Sequence, residues 1–114
     1  MTLKNIRLLL VIVIIILSCK KEKSIGDDEY VTLSYNQTYC ADAWQTGNTD
    51  SITLRNLANY LIDADLYLAS LYIKQEHEAE MCQACNCKTG KVIYVSTLNS
   101  DSLKAKYARI GFNK

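Results

Sequence analysis

Proline is absent from this chain, and its four glycines stand apart at 26, 47, 90 and 111. Without a glycine-rich turn leading into a helix, there is no phosphate-cradling loop. Histidine occurs once, at His77, and no serine sits in a Gly-x-Ser-x-Gly elbow, so the common hydrolase constellation is missing. An excess of one charge is missing too. Thirteen Lys and Arg face twelve Asp and Glu, and from Tyr30 onward there are eight of each. A balanced domain lacks the basic footprint of nucleic-acid binding, so no nucleic-acid partner is expected. No internal repeat and no low-complexity tract occurs. Between Asn48 and Gly90 neither Gly nor Pro interrupts the chain, which removes the usual punctuation between elements.

At 114 residues the chain has room for one domain. Residues 1–18 read as a processing segment. Lys4 and Arg7 give a positive start, Leu8 to Leu17 is an unbroken apolar run of ten, and the small Ser18 precedes Cys19. That order is the one of a secretory signal. The run falls short of the roughly 20 apolar residues a membrane-spanning helix needs, which argues against an uncleaved anchor. Ile16-Leu17-Ser18-Cys19 resembles the lipobox of bacterial lipoproteins, with a mild departure: that family often has Leu where Ile16 stands and Ala or Ser where Leu17 stands. The resemblance implies that Cys19 receives a diacylglycerol, that a dedicated peptidase cuts before it, and that the new amino group takes a further acyl chain such as palmitate. Two or three chains hold a protein stably on a membrane, so the expected partner is a lipid bilayer, reached through Cys19.

Residues 19–29 form a polar tether, with Lys20, Lys21, Glu22 and Lys23 followed by Gly26 and Asp27-Asp28-Glu29. Its composition cannot bury a core. By the same family resemblance, Lys20 is not the aspartate that retains some lipoproteins in an inner membrane, which points to the outer membrane of the cell envelope.

The domain is expected over 30–114. Val31, Leu33 and Tyr35 alternate with polar residues, a half-buried strand. Asp50 or Ser51 is positioned to cap a helix whose inner face carries Leu54, Leu57, Ala58 and Leu61. From Leu66 to Lys74 two readings stay open. The aromatics and Ile73 suit a strand, whereas a heptad-like series from Leu54 to Leu71 suits one long helix; a break at Asp63-Ala64-Asp65 is preferred. Lys91 to Thr97 is a strand behind a Thr89-Gly90 turn. Asn99 or Ser100 then caps a short helix with Leu103, Tyr107 and Ile110 inside, Lys106 and Arg109 in its last turn, and Gly111 as a left-handed cap onto which Phe112 folds back. The fold class is therefore α+β: an antiparallel sheet of three or four strands with two helices, in an order resembling a ferredoxin-like βαββα unit with the last strand missing or very short.

Chemistry concentrates in the loop expected between the second and third strands, Met81-Cys82-Gln83-Ala84-Cys85-Asn86-Cys87-Lys88-Thr89-Gly90. With Cys40 it holds four cysteines beyond Cys19. Export from the reducing cytosol favours two structural disulfides. Four cysteines allow three pairings; pairing Cys85 with Cys87 is strained, so Cys82 closes locally or Cys40 crosses to Cys85 or Cys87. A second reading is a metal site, in which Cys40, Cys82, Cys85 and Cys87 grip Zn²⁺ or Cu⁺ with His77 or Met81 as weaker extra ligands. A third is a redox dithiol at Cys82-Gln-Ala-Cys85, disfavoured by the acidic approach and the lack of a following helix. Cys40-Ala41-Asp42-Ala43-Trp44 together with the loop resembles small uncharacterised bacterial lipoproteins with similarly spaced cysteines, which implies an architecture and no activity. The expected function is a disulfide-stapled envelope lipoprotein, a non-enzymatic binding or assembly domain that needs no cofactor and meets an envelope protein partner.

Overall fold

The computed structural model describes residues 29–114. The processing segment, the lipobox with Cys19 and nearly all of the tether lie outside the described residues.

Three strands and two helices follow one another as β1 (Tyr30–Thr38), α1 (Asp50–Asp63), β2 (Ser70–Gln75), β3 (Lys88–Leu98) and α2 (Asp101–Arg109). The class is α+β. The sheet has the order β1-β3-β2, and β3 is antiparallel to both neighbours. The register sets Leu33 and Leu71 on either side of Val95, and Tyr35 and Ile73 on either side of Ile93. These rows make the inner face. The helices cover it with Leu57, Leu61 and Tyr107, and Trp44 and Phe112 complete the core. The outer face carries Ser34, Tyr94 and Tyr72 in one row, with the two tyrosine rings stacked at 4.9 Å. Beyond β1, Asn113 forms a single bridge to Ser34, exchanging backbone hydrogen bonds of 2.7 and 2.9 Å.

The break preferred at Asp63-Ala64-Asp65 is there, and its cause is a Schellman closure without glycine. Asp65 takes a left-handed φ of 59°. Leu66 then donates its N–H to Leu61 O at 2.9 Å, and Asp65 donates to Ile62 O at 3.0 Å. Leu61 and Leu66 are both buried, the hydrophobic contact that accompanies this motif. Aspartate tolerates the left-handed region better than most residues, which is why no Gly or Pro is needed. The strand that follows starts at Ser70, later than Leu66. The second helix ends in the same way with glycine: Gly111 has φ 101°, Phe112 N–H reaches Tyr107 O at 3.0 Å, and the two rings meet edge-on at 5.6 Å.

Three expectations are corrected. Thr49, rather than Asp50 or Ser51, caps α1, its hydroxyl accepting from Ile52 N. Asp50 instead opens the helix and pairs with Lys91 at 2.7 Å. Thr53, not Leu54, shares the buried face with Leu57 and Leu61, because its hydroxyl is satisfied by Gly47 N and Thr49 O. Finally, Thr89-Gly90 is not a turn ahead of β3 but part of it, in a register break opposite β1.

Two outcomes test this packing. Asp65→Val should lower unfolding stability by about 1–2 kcal/mol, the steric cost of a left-handed β-branched residue, while Asp65→Gly should not lower it; urea unfolding decides, and equal losses would contradict the closure. The second concerns alkali. Burial pushes the Tyr107 phenol up to about 12. Burial first, then the bond to Asp42 and its charge, raise Tyr35 as well. Both shifts favour the protonated folded form, so their stabilisation is complete below the unfolded value near 10 and is lost as pH climbs through the folded values. Ultraviolet titration should show these tyrosines ionising later than the exposed ones and together with unfolding.

Candidate functional site: a stapled loop beside a polar cleft

The loop between β2 and β3 is fastened at both ends. At its start, Glu76 N and His77 N both donate to the Gly90 carbonyl, at 3.1 and 2.9 Å. Gly90 has φ 84°, and a Cβ there would run into the His77 carbonyl, so no other residue fits this crossing. Further along, Glu80 N donates to Lys88 O at 2.9 Å, and Lys88 N returns a bond to Glu80 Oε2 at 3.1 Å. The far side is laced to the end of β1: Tyr39 N to Cys87 O and Cys40 N to Cys85 O, each 3.1 Å.

Two disulfides complete the fastening. Cys40 joins Cys85 across 45 residues, with Cα atoms 4.5 Å apart. Cys82 joins Cys87 across five residues, with Cα atoms 6.1 Å apart. This is the arrangement with Cys82 closing locally and Cys40 crossing. Of the four, Cys87 alone is buried. With every sulfur bonded to another, none of the four is a thiolate able to ligate or attack. Glu80, Cys82 and Cys87 bring their ligand atoms within 4.8 Å of one another, yet with those two sulfurs joined the trio offers one carboxylate. His77 is not part of that group, and Met81 projects fully into solvent.

The turn out of β1 is organised by Asp42. Its Oδ1 accepts from the Tyr35 hydroxyl at 2.6 Å, the Thr38 hydroxyl at 2.6 Å and Thr38 N at 3.2 Å. Three donors on one carboxylate oxygen hold the segment 38–42 and so aim Cys40 at the loop. Trp44 behind it is core rather than surface, packed on Tyr35, Tyr60 and Phe112.

Between the stapled loop and the start of α1 lies a cleft of about 450 Å³. Gln37, Tyr39 and Thr89 come from the sheet side, Thr46 to Asp50 from the approach to α1, and Ala79 from the loop. Its one fixed ion pair, Asp50 with Lys91, cancels internally. A second hollow of about 430 Å³ shares Tyr39 and Ala79 with it and runs over Met81 and Cys82. The sequence marked Asp50 as a helix cap and Thr89 as a turn residue, while Gln37, Thr46 and Thr49 were not singled out. The run Gln45 to Asp50 signals only a turn, and Gln37 lies on a strand among alternating polar residues, so no local pattern marks them.

Comparison with family models, curated proteins and solved structures finds no match for the chain. The geometry shows a concavity walled on one side by a cross-linked loop.

In the chain-entropy picture the 45-residue closure stabilises by about 4 kcal/mol and the five-residue closure by about 2 kcal/mol. Accordingly, Cys40→Ser/Cys85→Ser should cost more stability than Cys82→Ser/Cys87→Ser in urea unfolding. Peptide mapping of the unreduced protein should recover 40–85 and 82–87 links; four free thiols would overturn the arrangement.

Proposed function

We propose that this chain is a cell-envelope lipoprotein, cleaved before Cys19 and held on the outer membrane by lipid at that residue, whose domain is a disulfide-stapled binding or assembly module. The observation that carries the reading is the complete pairing of the four domain cysteines. Two disulfides in so small a domain fit an oxidising compartment. They also leave Cys19 as the one cysteine not needed for stapling, which suits a lipid carrier. The polar composition of Lys20 to Glu29 suits a spacer between the lipid and the domain.

The strand order supports a finer reading. With β3 between β1 and β2, and the Asn113 bridge outside β1, the domain resembles a ferredoxin-like unit whose last strand is reduced to one residue pair. That likeness carries no activity. Binding rather than catalysis is favoured by the cleft, whose ionisable groups are an internally paired Asp50 and Lys91 and the phenol of Tyr39.

Growth of the producing bacterium with an alkyne-bearing fatty acid tests the lipid claim. The native chain should take up the label, lose residues 1–18 and float with the outer membrane in a density gradient. Cys19→Ser should lose the label and remain uncleaved. Labelling that survives Cys19→Ser, or a native chain that is never labelled, would overturn it.

A further inference from the structure

Gln37, a residue 3% exposed, forms part of the cleft wall. The hydroxyl of Thr89 accepts the N–H of Lys91 at 3.2 Å, and two Gln37 acceptors lie within reach of its proton, Oε1 at 3.1 Å and the backbone carbonyl at 3.4 Å. The hydroxyl oxygen of Thr46, lining the same cleft, is buried without a partner among the described residues. A buried hydroxyl left unmatched is costly and calls for an explanation; here it accompanies the nearly buried Gln37. Both stand in the wall of a concavity whose volume falls within the roughly 300–1,000 Å³ typical of ligand sites.

We propose that this cleft binds a neutral carbohydrate, one or two pyranose units of a glycan. Charge decides against other small ligands. Lys91 is neutralised by Asp50 at 2.7 Å, so no free cation receives a phosphate and no free carboxylate cluster receives a metal ion. The lining decides between a sugar and a peptide. Thr46, Asn48, Thr49 and Gln37 supply short hydroxyl and amide groups, each donor and acceptor at close spacing, which matches vicinal hydroxyls. Among the described residues, Ala79 is the only aliphatic side chain in the wall, so a peptide side chain finds no aliphatic pocket there. Tyr39, 41% exposed, offers the ring on which the C–H face of a pyranose rests. Because Tyr39 also lines the second hollow, a chain of sugars can continue past it towards Met81. The proposal does not depend on Cys19 or on where the protein resides.

The test uses the full chain, ¹⁵N-labelled, in phosphocholine micelles, which bring no sugar of their own. Chitotriose and maltotriose are titrated, with trialanine and inorganic phosphate alongside. Saturable shifts of the Gln37 side-chain amide and of residues 46–50 are expected with at least one of the sugars. Asn48 is exposed, so Asn48→Ala leaves the fold intact and should weaken binding about tenfold. Gln37→Leu, if folded by the same spectrum, should weaken it at least as much. The proposal is overturned if neither sugar gives a saturable shift up to about 20 mM, a concentration that covers affinities weaker than the millimolar range. It is equally overturned if Asn48→Ala binds as well as the parent, or if trialanine or phosphate saturates the cleft more tightly than both sugars.

Discussion

Two backbone N–H groups, from Glu76 and His77, converge on the carbonyl of Gly90, and the sheet, the loop and the cleft all depend on that crossing. Around it Thr89, Gly90 and Lys91 face the single residue Gln37 of β1, since Asn36 pairs with Val92 while Thr38 pairs with Lys88. A regular ladder would have carried Gln37 past the sheet as another alternating residue. The irregularity lets Thr89 turn its hydroxyl onto the Gln37 amide, and it brings Lys91 within reach of Asp50 at the head of α1. Breaks of this kind re-aim side chains beside functional sites. Here the break is possible because Gly90 has no Cβ to meet the His77 carbonyl.

Local determinants and long-range ones divide the molecule. Much of the framework was legible from short-range pattern: the alternation of Val31, Leu33 and Tyr35, the helical faces through Leu57 and Leu61 and through Tyr107, and the glycine cap at Gly111. These depend on periodicity and on single-residue backbone preferences, both written within a few residues. The end of α1 was harder, since Asp65 occupies the left-handed position that glycine normally marks. The break was preferred at Asp63-Ala64-Asp65, and the closing pair Leu61 and Leu66 was not foreseen. The cap at Thr49 and the buried Thr53 were missed for a related reason: the N–H and the hydroxyl of Thr53 both donate to the Thr49 carbonyl, and hydrophobicity does not register that.

The candidate site was legible by halves. Four cysteines with one remote from the other three restricted the pairings, and crowding between Cys85 and Cys87 narrowed them further, so the stapling could be framed from spacing alone. The cleft could not. Gln37, Thr46, Asn48 and Thr89 are brought together by the register break and by the entry to α1, and each is an ordinary polar residue where it stands in the chain. Residues of that kind acquire meaning from burial and from an unmatched donor, properties that exist only after folding.

The staples and the cleft bear on one another. The domain is small, and small domains bury too little surface to be stable without reinforcement. Reinforcement at Cys40–Cys85 does more than add stability, because it fixes the loop that contributes Ala79 to the cleft wall and fixes the end of β1 that contributes Gln37 and Tyr39. Loss of that bond would leave the loop held by backbone hydrogen bonds at Tyr39, Cys40 and Glu80, exposed ones that open at little cost. A wall so fastened keeps its shape only where cystine is stable. The cystine that closes Cys40–Cys85 also holds the cleft wall, and reducing it would loosen the cleft before it unfolded the core of Leu57, Ile93, Val95 and Tyr107.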